Sequence, residues 1–221
     1  MKKPHVFPHT SWAAKSLWSI ELKSLSVLLC ALTSIGFGEG LLLLSDLGSA
    51  PWTVLSQGVA TQGQFSVGWA SWMISLIVML AWFPLKLKPG LATVINIFVI
   101  AFVLGVTTYL LPKPTALYAR FAYAIVGILL FGIGTAFYLT CHQGSGPRDG
   151  LMVGLCQHFH WKIGIVRTSI EVLVCVFGFL LGGVLGIGTL MFAFGIGWVV
   201  QYTLFFISRV PYFRHKTDNL L

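Results

Sequence analysis

Charge is what this sequence has least of. Only 6 of its 221 residues are Asp or Glu, and charged residues of both signs make up 9% of the chain. So few charges cannot cover the surface of a 24.2 kDa water-soluble globule, whereas a bilayer demands no such cover. Other absences narrow the chemistry. There is no phosphate-binding loop or glycine-rich strand-to-helix fingerprint, so direct ATP drive is excluded for this chain. No His-Glu-x-x-His pair and no Ser/His/Asp order appears, which leaves an intramembrane enzyme without support. Cys30, Cys141, Cys156 and Cys175 form no Cys-x-x-Cys pair, so they read as packing residues rather than as a zinc ribbon or a disulfide scaffold. Cys141, His142, Cys156, His158 and His160 match no zinc spacing, and neither a metal nor a cofactor is expected. The first residues have no apolar core and small-residue cleavage site of the secretory kind.

What is present is apolar: 57% of the residues are hydrophobic and the mean hydropathy is +0.87, the composition of an integral membrane protein. Six stretches, near 24–44, 66–85, 90–111, 121–141, 163–183 and 187–208, are expected to span the bilayer. Two shorter ones, 51–62 and 147–158, each open with proline and read as re-entrant half-helices. The formal charge of +8 comes from Lys and Arg strewn over chain ends and connections, so it reads as a topology signal rather than a nucleic-acid footprint. In the six-span reading, eleven basic residues fall on the side of the termini and two, Lys113 and Arg120, on the other, which predicts cytoplasmic termini. An eight-span arrangement would move Lys86 and Lys88 across, so the bias favours six. Residues 1–23 read as a cytoplasmic arm with an amphipathic helix, 24–111 and 112–208 as two membrane repeats, and 209–221 as a cytoplasmic tail.

The repeat rests on a self-alignment at an offset of 96 residues. Over 36–107 against 132–203 it gives 19 identities in 72 positions, where this composition yields roughly five to seven by chance. Gly48-Ser49-Ala50-Pro51 falls on Gly144-Ser145-Gly146-Pro147. Three spans per unit is an odd number, so the second copy is expected upside down relative to the first. The predicted fold is therefore an all-α integral membrane protein with six transmembrane helices plus two re-entrant half-helices, in two inverted-topology repeats of three spans each. The paired half-helices would meet near the midplane and offer unsatisfied N–H groups to an electron-rich ligand. The plainer alternative is that Gly-Ser-x-Pro only turns the chain.

Charged residues inside spans generally mark function. Arg148 and Asp149 open the second half-helix, where Arg148 is the candidate for an anionic group and Asp149 for the first-turn N–H groups; the alternative is a lipid-facing Arg with a capping Asp. Their counterparts, Trp52 and Thr53, would supply an aromatic wall and a hydroxyl, though Trp52 also suits an interface anchor. Together with Gly48, Ser49, Pro51, Gly144, Ser145 and Gly146 they make up the expected solute site. Arg167 and Glu171 are four residues apart on one helical face and are expected to pair, as part of the coupling machinery or simply to fix helix register. Their counterparts are Ser71 and Ser75. Glu39, beside Gly36, Gly38 and Gly40, is a candidate proton carrier, and Asp46 closes the first span.

On these residues the chain resembles the YczE/YitT group of bacterial multi-pass membrane proteins. The resemblance runs from about Gly36 to Gln201 and is carried by Asp46-Leu47-Gly48-Ser49-Ala50-Pro51-Trp52, Gly144-x-Gly146-Pro147-Arg148-Asp149-Gly150-Leu151, Val166-Arg167-Thr168-x-x-Glu171 and Gly186-x-Gly188-Thr189. It implies an inner-membrane transporter or accessory protein and leaves the substrate open.

The expected function is a secondary transporter or facilitator of a small polar solute, anionic or zwitterionic, across the inner membrane. Glu39, Asp46, Arg167 and Glu171 would form its coupling network. The expected partners are that solute and the lipid bilayer, with a homodimer through a glycine face such as Gly178, Gly182 and Gly186. Two alternatives stay open: a passive channel, and an accessory protein that docks a partner through its basic face.

Overall fold

The structure, a computed structural model, describes residues 10–210. Residues 211–221 of the expected tail 209–221, and Lys2, Lys3, His5 and His9 of the arm, lie outside the described residues. Eight α-helices follow in order: α1 Leu22–Leu44, α2 Pro51–Gly63, α3 Val67–Leu80, α4 Leu91–Leu110, α5 Leu117–Leu139, α6 Pro147–Phe159, α7 Ile163–Leu180 and α8 Ile187–Arg209. Proline opens both short helices, α2 and α6, at a position where its missing N–H costs no hydrogen bond. Ser66 caps α3 by accepting from the Trp69 N–H.

This arrangement corrects the expectation of six transmembrane helices plus two re-entrant half-helices in two inverted triads. Among the described residues, four helices (α1, α4, α5 and α8) are long and apolar enough to cross a membrane, and a fifth span results only if α2 and α3, bent by 114°, act as one broken span. The run 66–85 fails to span because its helix stops at Leu80 and residues 81–86 form turns. Pro84 disfavours helical geometry at the residue before it. The remaining 14 residues reach only about 21 Å. α7 has 18 residues and carries Arg167 and Glu171 within its first turns. Along the chain the eight helices fall into two sets of four, α1–α4 and α5–α8, called units below, which interleave: α1 packs on α5 and α2 on α7.

Helix starts recur at a fixed spacing. The starts Pro51/Pro147, Val67/Ile163 and Leu91/Ile187 are each 96 residues apart. The turn leaving α1 uses Asp46 (φ 57°) and Gly48 (φ 102°), and the turn leaving α5 uses His142 (φ 55°) and Gly144 (φ 108°). Glycine is suited to both of the latter positions, where a side chain would be strained. The units also exchange contacts. Gly188 N–H donates to Leu47 O at 2.7 Å, and Ala92 N–H donates to Gln143 O at 3.1 Å. Each linker before a proline-led helix thus rests on the start of the other unit's fourth helix.

Backbone approach holds the bundle together. α1 and α5 touch where Gly38 and Gly127 face each other's carbonyl, and α2 meets α7 through Gly58 and Gly178. The glycine face expected to serve a dimer is therefore partly used inside the chain: Gly178 lies against Leu55, and Gly186 against Leu47. Outward-facing Ile77, Phe98, Phe102, Leu190 and Phe194 are exposed, an apolar girdle that a bilayer covers.

Residues 10–20 form turns rather than the expected amphipathic helix, because tertiary partners take their polar groups. Thr10 Oγ1 donates to Thr140 O, Trp12 Nε1 donates to Thr140 Oγ1, Ala14 N–H donates to Cys141 O, and Gln143 Nε2 donates to Ser19 O. Trp12 is buried in the core with Leu28, Leu32 and Tyr138. Beside this strap, burial pushes the Cys141 thiol up to about 12. Almost none of it is thiolate at pH 8, so a variant keeping only this cysteine should resist maleimide until denatured. Denaturation returns the thiol to about 8.5 and exposes it. Rapid labelling of the folded variant would contradict this burial.

Candidate functional site

Arg148, the second residue of α6, reaches three elements of the other unit. Its Nη1 donates to Glu39 Oε1 of α1 at 3.3 Å, and its Nη2 donates to Ser71 Oγ of α3 at 3.1 Å. Its guanidinium carbon lies 5.4 Å from the ring centre of Trp52 in the first turn of α2. A forked, planar cation suits this set, since one plane presents N–H groups to two acceptors while its face stacks on indole. Glu39 is only 2% exposed, so its carboxylate depends on this cation. α6 is held in place for the contact by Trp82, whose Nε1 donates to Pro147 O at 3.0 Å and whose ring lies on Gly150.

Trp52 and Arg148 occupy equivalent positions in the two units, and they touch. The site therefore lies where the units face one another. The neighbouring equivalents differ in surroundings. Thr53 is buried and faces Glu39, whereas Asp149 is exposed, within electrostatic reach of Arg167, Arg148 and Glu171. The anticipated Arg167–Glu171 contact is present, Nε to Oε1 at 2.9 Å, on the more exposed side of the network. Glu39–Arg148, buried, and Arg167–Glu171, more exposed, are thus two ion pairs with Asp149 within electrostatic reach of both, and these five residues make up the charged string of the site.

The glycine and serine positions shape the starts of the short helices. Gly48 packs against Gly186 and Thr189, and Gly144 against Gly90 and Thr93. Thr93 Oγ1 donates to Ser145 O at 2.7 Å and accepts from Gly90 N–H. Gly146 caps α6 with the Asn96 amide against it. Pro51 and Ser49 are buried at the start of α2. Asp46 stands apart from the string: at the end of α1 it is 3.7 Å from Arg120, near the start of α5.

Ser71 and Trp82 are site residues that the chain pattern did not single out as such. Ser71 had one signal, as the counterpart of Arg167 within an apolar run; Trp82 had none beyond its bulk. Two surface grooves lie outside the string. One, of about 380 Å³, is lined by Trp69, Trp72, Phe98 and Phe102, and the other, of about 480 Å³, by His160, Trp161, Lys162, Ile165 and Ser169. Among the described residues, no group of three or more His, Cys, Asp and Glu side chains is placed to hold a metal ion.

Comparison with known proteins gives the chain its relatives. It is 58% identical over 215 residues to an uncharacterized protein of Haemophilus influenzae, a match covering 97% of this chain and 99% of the other. It is 25% identical over 172 residues to the uncharacterized membrane protein YczE of Bacillus subtilis, covering 77% of this chain and 80% of that one. It is 29% identical over 163 residues to the uncharacterized protein YyaS of the same bacterium, covering 71% and 80%. No solved structure matches. The apolar helices and these relatives make it a bacterial multi-pass membrane protein. A family profile described as a family of unknown function, DUF6198, matches residues 22–204, and the chain belongs to that family.

Proposed function

We propose that the protein is a secondary transporter or facilitator of a small polar solute, anionic or zwitterionic, in the bacterial inner membrane, with both termini cytoplasmic. The observation that carries this reading is Arg148, placed where the two units meet and held by Glu39, Ser71 and Trp52. A guanidinium at that depth is maintained at a cost that packing alone does not require. An anionic group reaching Arg148 takes over from Glu39 as its counter-charge, with the starts of α2 and α6 (Gly48, Ser49, Pro51, Trp52, Thr53; Gly144, Ser145, Gly146) around it. Arg167, Asp149 and Glu171 lead from that position to the exposed face, and rocking of the four-helix units would open it to either side. No catalytic role is assigned to any residue. Membership in the wider YczE/YitT group is part of the same proposal.

The test is thermal unfolding of purified protein against a panel of small carboxylates, phosphate and amino acids. A ligand of the folded state raises the apparent melting temperature. The Arg148→Lys variant keeps the counter-charge of Glu39 but loses the fork, so it should stay folded and lose the shift. A shift unchanged in that variant places the ligand elsewhere. In liposomes, stimulation of flux by solute on the far side separates a transporter from a channel.

A further inference from the structure

Glu39 has two carboxylate oxygens and the structure uses one. Oε1 accepts from Arg148, while Oε2 is buried and has no hydrogen-bond partner. Thr53, in the first turn of α2, faces the carboxylate closely enough to act on its charge. Yet its buried Oγ1 also lacks a partner of ordinary length and angle. Ser49 Oγ, just before α2, and Thr189 Oγ1, in α8 against Gly48, are buried and unpartnered as well. Buried polar atoms are seldom left so, and a carboxylate oxygen facing a hydroxyl calls for an explanation. Charge points the same way. The guanidinium that faces Glu39 reaches only Oε1, so the second carboxylate oxygen lies buried with no cation of its own.

We propose that Glu39 Oε2 and Thr53 Oγ1 bind a monovalent cation between α1 and the start of α2. A single carboxylate already shared with Arg148, plus one hydroxyl, offers too little negative charge for a divalent ion and suits a monovalent one. All the donors are hard oxygens, which suits sodium; a proton on Oε2, donated to Thr53 Oγ1, satisfies the same two atoms. From α6 the carboxylate faces Arg148, with Asp149 next along the string; from α2 it faces Thr53. Ser71 of α3 holds the Arg148 fork. α4 and α5 present Val103, Thr107, Gly127 and Leu130 to this stretch of α1. The cation's service as a driving ion rests on the transport reading; its binding does not.

The experiment therefore omits solute. Purified protein is unfolded thermally in sodium, potassium or choline chloride at fixed pH, and titrated in choline while the infrared carbonyl stretch of protonated carboxyl is followed. Sodium occupancy predicts a higher melting temperature in sodium alone, with Thr53→Val needing about tenfold more sodium for the same shift and Glu39→Gln showing none. Proton occupancy predicts a protonated-carboxyl band that Glu39→Gln removes and Thr53→Val shifts. Should Glu39→Gln fail to fold, Thr53→Val and the wild-type comparison still decide. A wild-type protein indifferent to sodium and without the band overturns the proposal, whatever the solute panel shows. A blank solute panel with either signal present sinks only the transport reading.

Discussion

Replacing Arg148 by alanine is expected to cost about 3–5 kcal/mol of stability, because it strands a carboxylate in the interior. Glu39 is 2% exposed and its single strong partner is this guanidinium at 3.3 Å. The loss is read as a lower midpoint in a denaturant titration of the detergent-solubilised protein. A double-mutant cycle separates the pair from its surroundings. Glu39→Gln combined with Arg148→Gln removes both charges and should recover much of the loss, since replacing an entire buried pair is far milder than orphaning one half. If Arg148→Ala were as stable as wild type, Glu39 would be neutral without its help, and the counter-charge role given to Arg148 would be wrong.

The second large effect is expected at Gly127. A Cβ there would lie 2.7 Å from the Gly38 carbonyl oxygen and 3.0 Å from the Leu42 nitrogen, both backbone atoms that cannot turn aside. Gly127→Val should push α1 away from α5 and cost about 3 kcal/mol, the upper part of the range for overpacked cores. Gly197→Val is the control, because nothing lies within 4 Å of a Cβ at that position. It should leave the midpoint unchanged within about 0.5 kcal/mol. Equal effects at the two sites would mean that the α1–α5 contact yields to added volume.

Local signals were legible in the chain and long-range ones were not. Pro51 and Pro147 announce the starts of α2 and α6, and the 96-residue offset announces that the helices recur in the same order. Apolar length misled at 66–85, where the hydropathy continues past Leu80 but the backbone turns ahead of Pro84. The strap at residues 10–20 was hidden for a related reason. Its alternation of Trp, Lys and apolar residues fits an amphipathic helix, but what fixes it is Thr140 and Gln143, more than a hundred residues away. Glu39 and Arg148 were each conspicuous as charges in apolar surroundings. That they belong together, 109 residues apart, follows only from how the units dock. Arg167 and Glu171 were readable as a pair because one helical turn joins them.

The contact between Trp52 and Arg148 bears on how such a bundle could arise. Were the two halves separate identical chains, residues at this point would meet their own copies. The choice would be indole on indole, or two guanidiniums confronting each other in a medium that screens charge poorly. A mixed couple of cation and aromatic face is open only to halves that differ. Within one polypeptide the two positions are free to differ, and here they set a cation on an aromatic face where equal residues would repel or merely stack.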